Sequence, residues 1–349
     1  MISLTSNLTL ALSATITVAL FALLNIKWSK LNRIWKRITA QVVLQVMLLA
    51  TVGLALNIQN GFYSSWSELF GISSYANQHI APKTIDLSRA SYTKNGSAIL
   101  KEVFTGSASK ITEQVWFLIP KHIVTAIQDG SNEKFPAVYF LSGSPGVPTA
   151  WLHGLNLEDQ ILEVKKSVKL RDFVAILPQY NVVPHSDTGC MNIPDKAKVE
   201  DWLTKDVYNY AISNLPLQIN NWAIAGYSTG GWCSAMLALR HPEIFKAAAP
   251  IAGYYNPEFP FKLDSDVRKK LRKEYDLVAI AKRSTKPSDI FLITSTDDPN
   301  SYGATMWFHD KLGSTHNVEL LTVPSGGHNF STWRPLVQDV LKWFAGEFR

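Results

Sequence analysis

A serine at 228, adjacent aspartates at 297 and 298 and a histidine at 328, in that chain order, are the residues most able to do chemistry here. A serine hydroxyl attacks a carbonyl well only when a base takes its proton and amide donors hold the oxyanion that forms. Ser228 stands in Gly226-Tyr227-Ser228-Thr229-Gly230, between an apolar run at 222–225 and a helix-like stretch at 231–239. This setting reads as a sharp strand-to-helix turn, with glycines flanking the serine so that the adjoining backbones pack closely and the hydroxyl stands clear. The G-x-S-x-G pentapeptide alone is a weak signal, and its flanks give it weight. The chemistry implied is acyl transfer through an ester on Ser228.

An elbow serine needs a base and an orienting acid, supplied in the order serine, acid, histidine. His328 lies in Pro324-Ser325-Gly326-Gly327-His328-Asn329-Phe330, past the last expected strand and before the final helix, where an imidazole can reach back over the sheet edge. His241, His309 and His316 sit at or beside helix ends and read as capping or solvent-facing residues. The acid is expected in Ser295-Thr296-Asp297-Asp298-Pro299, after a strand at 290–294. Asp298 is favoured, because the pattern of elbow-serine hydrolases places the acid three residues past a small residue, here Ser295, with Pro299 then fixing its loop. Asp297 is the alternative acid, and a turn or capping role is expected for whichever is left over. The oxyanion hole calls for two backbone amides, expected from Thr229 after the nucleophile and from Ser144 in the loop Phe140-Leu141-Ser142-Gly143-Ser144-Pro145-Gly146.

Those loops need a sheet. Short β-rich runs at 98–104, 113–119, 137–141, 173–177, 222–225, 247–251, 290–294 and 319–323 alternate with helical periodicity at 199–215, 264–281 and 333–348. Two opening antiparallel strands followed by mostly parallel ones, with the nucleophile after the fifth, suit an α/β-hydrolase sheet. A chain of 349 residues, 46% of them hydrophobic, can bury one such core and carry an appendage.

The appendage is N-terminal. Apolar stretches at 8–26 and 40–56 are each near the length that spans a bilayer as a helix. The alternative for the first, a secretory signal peptide, lacks a preceding Lys or Arg and a following cleavage pattern. The alternative for the second, an interfacial or re-entrant segment, rests on Gln41 and Gln45. Lys27, Lys30, Arg33, Lys36 and Arg37 between the two supply five of the net six positive charges, so the basicity is local and gives no argument for a nucleic-acid partner. Lys and Arg stay in the cytoplasm, which turns both flanks of this loop outward. The expected organisation is therefore a two-helix membrane anchor over 1–57, a linker over 58–82 and an extracytoplasmic α/β-hydrolase domain over 83–349, with the lipid bilayer as a partner.

The residues from about 98 to 348 resemble the esterase family of α/β-hydrolases that includes S-formylglutathione hydrolase, feruloyl and enterochelin esterases and mycolyltransferases. The likeness rests on Phe135-Pro136-Ala137-Val138-Tyr139-Phe140-Leu141 leading into the oxyanion loop, on Gly226 to Gly231, on Leu239-Arg240-His241-Pro242-Glu243, and on Gly327-His328-Asn329 with Trp333-Arg334. With two membrane helices it looks like the membrane-bound members of actinobacteria. The resemblance implies acyl-ester chemistry by a triad of Ser228, Asp298 and His328. Mycolyltransferases typically place an aspartate and an arginine around the oxyanion loop, where Ser142 and Pro145 stand here, and use glutamate as the acid. Transfer to trehalose is thus not implied, while transfer to another cell-envelope carbohydrate stays open beside simple hydrolysis. A third reading is a non-catalytic binding module on the same fold.

Cys190 and Cys233 are the only cysteines, and an extracytoplasmic location favours a disulfide between them over two buried thiols. Two cysteines without clustered histidines make no zinc site, and no phosphate loop or dinucleotide fingerprint is present, so the chemistry calls for neither metal nor cofactor.

Overall fold

The strands in chain order are β1 (Ser91–Tyr92), β2 (Ala98–Thr105), β3 (Thr112–Ile119), β4 (Phe135–Leu141), β5 (Val174–Pro178), β6 (Asn192–Ile193), β7 (Ala197–Lys198), β8 (Leu217–Tyr227), β9 (Phe245–Ile251), β10 (Asp289–Ser295) and β11 (Asn317–Val323). Nine of them form one sheet in the order β1-β2-β3-β5-β4-β8-β9-β10-β11, and β6 with β7 makes a separate small hairpin. Pairing is antiparallel from β1 through β3 to β5 and parallel from β5 onward to β11. This computed structural model describes residues 4, 6–60, 63, 66–69, 85–183, 186–312 and 316–348. The chain divides into two compact units, Met1–Ser73 and Ser74–Arg349.

The sheet forms where the sequence is apolar on both faces. All seven residues of β4 are buried, as expected of a parallel strand with helices on either side. Successive side chains of a strand point to opposite faces. Ala137, Tyr139 and Leu141 accordingly join one core with Trp202, Trp222 and Trp232. Val138 and Phe140 join the other with Trp151, Phe330 and Leu341. β2, near the antiparallel edge, alternates buried and more exposed residues.

All eight expected strands form, and the fifth of them, extended backward to Leu217, is β8. The helices depart more from the pattern. The one expected over 199–215 contains a π-helical segment, Trp202–Val207. The one expected over 264–281 is two helices, Ser265–Glu274 and Leu277–Arg283, because the Asp276 side chain accepts from the Ala279 amide at 3.0 Å and caps a new start. The final helix starts earlier, at Phe330, and Asn329 caps it by accepting from the Thr332 amide at 3.2 Å.

The smaller unit is built on two helices, Asn7–Lys27 and Ile34–Asn60, long and apolar enough to cross a membrane. The second begins six residues before the expected 40, so Lys36 and Arg37 are helical. Arg37 stays tied to the turn by donating to Leu31 O at 2.7 Å and by lying 5.2 Å from the Trp28 ring. Hydroxyls join the two helices: Thr51 Oγ1 lies 2.8 Å from Ser13 Oγ and 3.0 Å from Thr17 Oγ1. Apolar side chains such as Leu12, Val46 and Leu49 are exposed, the reverse of a core helix in a soluble domain. The linker expected over 58–82, and the start of the domain expected at 83, fall largely outside the described residues.

One buried charge cluster braces the larger unit behind the elbow helix. Glu200 accepts from Arg240 Nε at 2.7 Å, His241 Nε2 at 2.7 Å and Tyr275 O–H at 2.6 Å. Burial alone would raise the Glu200 pKa, but the His241, Arg240 and Tyr275 hydrogen bonds outweigh it and bring the carboxyl from 4.5 down to about 2. A folded-state value below the unfolded one gives a stabilisation that is complete above about pH 4.5 and is lost as pH falls toward 2; at ~1.4 kcal/mol per pH unit it amounts to about 3 kcal/mol. Glu200→Gln should therefore lower stability at pH 7 by about 3 kcal/mol. Thermal melts at pH 7 and pH 3 should also show a smaller acid-induced drop in the variant than in the parent, and equal drops would remove Glu200 from the acid response.

Candidate active site

The turn after β8 is a place where backbones nearly touch. A Cβ on Gly226 would lie 2.1 Å from Gly230 O, and one on Gly230 would lie 2.2 Å from Leu141 O, so neither position admits a side chain. Between them Ser228 adopts φ 57°, ψ −123°, an uncommon conformation for a non-glycine residue. Its amide donates to Ile251 O at 2.9 Å, pinning the turn to the end of β9. The helix Thr229–Arg240 starts at once behind it.

The loops after β10 and β11 bring the other expected residues to this turn. His328 Nε2 lies 2.8 Å from Ser228 Oγ, and His328 Nδ1 lies 2.6 Å from Asp298 Oδ2. Asp298 has a side chain only 8% exposed and also accepts from Ser301 Oγ at 2.7 Å. A carboxylate against Nδ1 selects the tautomer with its proton there, which leaves the Nε2 lone pair to accept the serine proton. The imidazole packs in a T-shaped contact with Trp333, ring centroids 4.8 Å apart at 88°. Asp297, the alternative acid, does not meet the ring. Its Oδ2 accepts from the Gly326 amide at 3.2 Å, at a residue with φ 117° in the loop that carries His328.

The loop after β4 also reaches the serine: a Cβ on Gly143 would stand 3.0 Å from Ser228 Cβ. Asn181 Nδ2 donates to Gly143 O at 3.2 Å and to Gly146 O at 2.9 Å, and the Tyr180 hydroxyl donates to Ser142 O. In a trans peptide the C=O and the following N–H point opposite ways, so the Ser144 amide is directed away from Asn181. Ser144 is half-buried and Thr229 is buried as the first residue of the elbow helix.

Tyr180, Asn181 and Asp187 belong to the surroundings of this turn, and no motif singles them out. Asp187 Oδ2 accepts from Thr229 Oγ1 at 2.6 Å, and its Oδ1 accepts from the Gly189 amide at 2.8 Å. Gly189 O in turn accepts from Trp232 Nε1 at 2.8 Å. The only signal that could have found these residues is position, since they follow β5, and ligand sites of open parallel sheets lie beyond the carboxyl ends of the strands. Cys190 and Cys233 are bonded, with a sulfur separation of 2.02 Å, and this bridge ties the Asp187 loop to the elbow helix. Among the described residues no group of three or more His, Cys, Asp or Glu could hold a metal ion.

A mostly parallel sheet with a serine elbow, and histidine and aspartate loops at the ends of later strands, defines an α/β-hydrolase. Residues 114–344 match the family model described as a putative esterase, and the chain belongs to that esterase family. It is 22% identical over 247 residues to an uncharacterized protein of Corynebacterium glutamicum, a match covering 64% of this chain and 56% of that one. The chain thus spans little more than half the length of this curated relative. The fold is shared with a ferulic acid esterase, TM-score 0.61 at 15% identity, over 72% of this chain and 98% of the other. It is shared equally with an S-formylglutathione hydrolase of Agrobacterium tumefaciens, TM-score 0.60 at 16% identity, over 74% and 98% of the respective chains.

The bridge closes a sequence separation of 43 residues, for which chain entropy predicts a stabilisation of up to about 4 kcal/mol. The double variant Cys190→Ser/Cys233→Ser should melt several degrees below the parent under non-reducing conditions. Adding reductant should bring the parent down to the variant, and coincident melting curves without reductant would show that the bond adds no stability.

Proposed function

We propose that this protein is a membrane-anchored serine esterase or acyltransferase that works through an acyl-enzyme on Ser228. The observation that carries the reading is the continuous line from Ser228 Oγ through His328 to Asp298, 2.8 Å and 2.6 Å long at its two links. In the first step His328 Nε2 takes the Ser228 proton as Oγ attacks the ester carbonyl carbon. The developing oxyanion is received by the amides of Thr229 and Ser144, whose donors point from fixed backbone and need no reorganisation. Asp298 keeps the imidazole oriented and offsets the charge it acquires. Collapse expels the alcohol, which takes the proton back from His328 and leaves an ester on Ser228. Water then attacks with His328 again as base and gives hydrolysis, whereas a carbohydrate hydroxyl entering instead gives acyl transfer to a cell-envelope acceptor. Ester substrates of small-molecule, lipid or carbohydrate type fit this scheme, and no cofactor enters it.

The anchor reading assigns 1–57 to two membrane helices, 58–82 to the linker and 83–349 to the domain outside the cytoplasm. Three features support it: the length and exposure of helices Asn7–Lys27 and Ile34–Asn60, the five cations between and at their ends, and a disulfide of a kind that persists in oxidising compartments. The competing idea of a binding module that has lost catalysis is disfavoured by the retained serine, histidine and aspartate line, which binding alone does not require.

A fluorophosphonate probe should label the parent and leave Ser228→Ala unlabelled. With a short-chain ester, Asp298→Asn should lower kcat by about 10⁴-fold, because the wrong imidazole tautomer is then favoured. Asp297→Asn keeps an acceptor for the Gly326 amide and should change kcat less than about threefold, in keeping with one ordinary hydrogen bond. Labelling of Ser228→Ala, or equal losses in the two aspartate variants, would overturn the assignment.

A further inference from the structure

Within its apolar run at 40–56, helix Ile34–Asn60 carries two carboxamides that have no bonding partner among the described residues. Gln41 and Gln45 stand four residues apart, both are exposed, and among the described residues neither has a hydrogen-bond partner. Several other polar side chains of this unit are bonded internally: Thr15 donates to Ala11 O, Asn25 to Phe21 O, and Asn57 to Leu4 O and Tyr63 O. Ser13, Thr17 and Thr51 bond one another.

On the membrane-anchor reading, on which this inference rests, Gln45 is too deep to be served by water. It lies eight residues beyond Arg37, the last cation before the apolar run, and at 1.5 Å per residue that is about 12 Å along the axis. A glutamine side chain cannot span that distance to the headgroups, and an unbonded amide in hydrocarbon is strongly disfavoured. Gln41, about 6 Å beyond Arg37, is nearer the boundary. The two belong to a stripe, Ile38, Gln41, Gln45, Leu48 and Val52, with the 3-4 spacing that brings residues onto one line of a helix. This stripe is displaced by one residue, about 100° around the axis, from the Met47 and Thr51 line that meets helix Asn7–Lys27. All five of its residues are exposed.

We propose that this stripe is the contact between two copies of the chain, closed by Gln45 of one copy bonding Gln45 of the other. A carboxamide is both donor and acceptor, so the same side chain repeated across a two-fold axis completes its own bonding, as an isologous contact requires. Lipid tails offer neither group. The cations at the loop end oppose close approach, but they sit in water where a Debye length of about 8 Å screens them, whereas the amide pair lies in hydrocarbon where nothing competes for it.

Oxidative cross-linking in native membranes tests this with cysteines placed on and off the stripe. Leu48→Cys should yield a species of twice the chain mass, and Val43→Cys, on the opposite side of the helix, should yield little. Adding Gln41→Leu and Gln45→Leu to Leu48→Cys should lower the cross-linked fraction about tenfold, the loss expected for interhelical hydrogen bonds. Equal yields at 43 and 48, a yield insensitive to the glutamines, or a product containing a different protein would each overturn the proposal. Alkaline carbonate extraction of the same membranes separates the two failures. A chain that stays with the membrane yet does not cross-link refutes the paired stripe alone, and a chain released by carbonate refutes the anchor reading and the pairing with it.

Discussion

The close approach of three backbones at the elbow is the constraint on which the rest depends. The helix Thr229–Arg240 can begin immediately after β8 only because Gly226 and Gly230 face each other, and the carbonyl of Leu141, without side chains. One methyl group at either position would push the helix away from the sheet, and Ser228 would relax from φ 57°. Holding a non-glycine residue in such a conformation costs of order 1–3 kcal/mol, which the packing of β4, β8 and β9 around the turn must offset. The buried helix behind it, with Trp232 and Cys233 inside the core, supplies that packing.

Parallel strands make the assembly of the site economical. β8, β10 and β11 run the same way, so the turns that follow them open on the same edge of the sheet and can meet although 100 residues separate Ser228 from His328. The two neighbouring aspartates divide the work of placing the imidazole. Asp298 bonds the ring, while Asp297 bonds the backbone of the loop that carries it. A similar division holds on the other side, where Asn181 grips the carbonyls of the Gly143 loop and Asp187 grips the hydroxyl of Thr229. The functional side chains are thus few, and most of the hydrogen bonding around them is spent on keeping loops still.

The two units obey opposite solvation rules. In the larger one the apolar side chains are inside and Glu200, a buried charge, is met by three partners. In the smaller one the apolar side chains face outward and hydroxyls lie between the helices, an arrangement that water would disfavour and hydrocarbon tolerates. The same contrast marks Gln45: an exposed glutamine needs no comment on a water-facing helix, but it becomes an unmet demand within an apolar span.

By itself the sequence determined the features whose signals are local. Strand periodicity located every main strand, the glycines around Ser228 located the elbow, and the Gly-His-Asn loop before a helical pattern located His328, because each signal arises from neighbours within a few residues. It favoured Asp298 but kept Asp297 as the alternative, since which of two adjacent carboxylates meets the ring depends on how the chain turns between them. It also gave no hint of Tyr180, Asn181 or Asp187, nor of the break at Asp276 within one apparent helix. Those were decided by tertiary structure: which carboxylate meets a ring thirty residues away, and which loop side chain reaches a distant carbonyl, depends on distances across the sheet edge that exist only after the strands have packed.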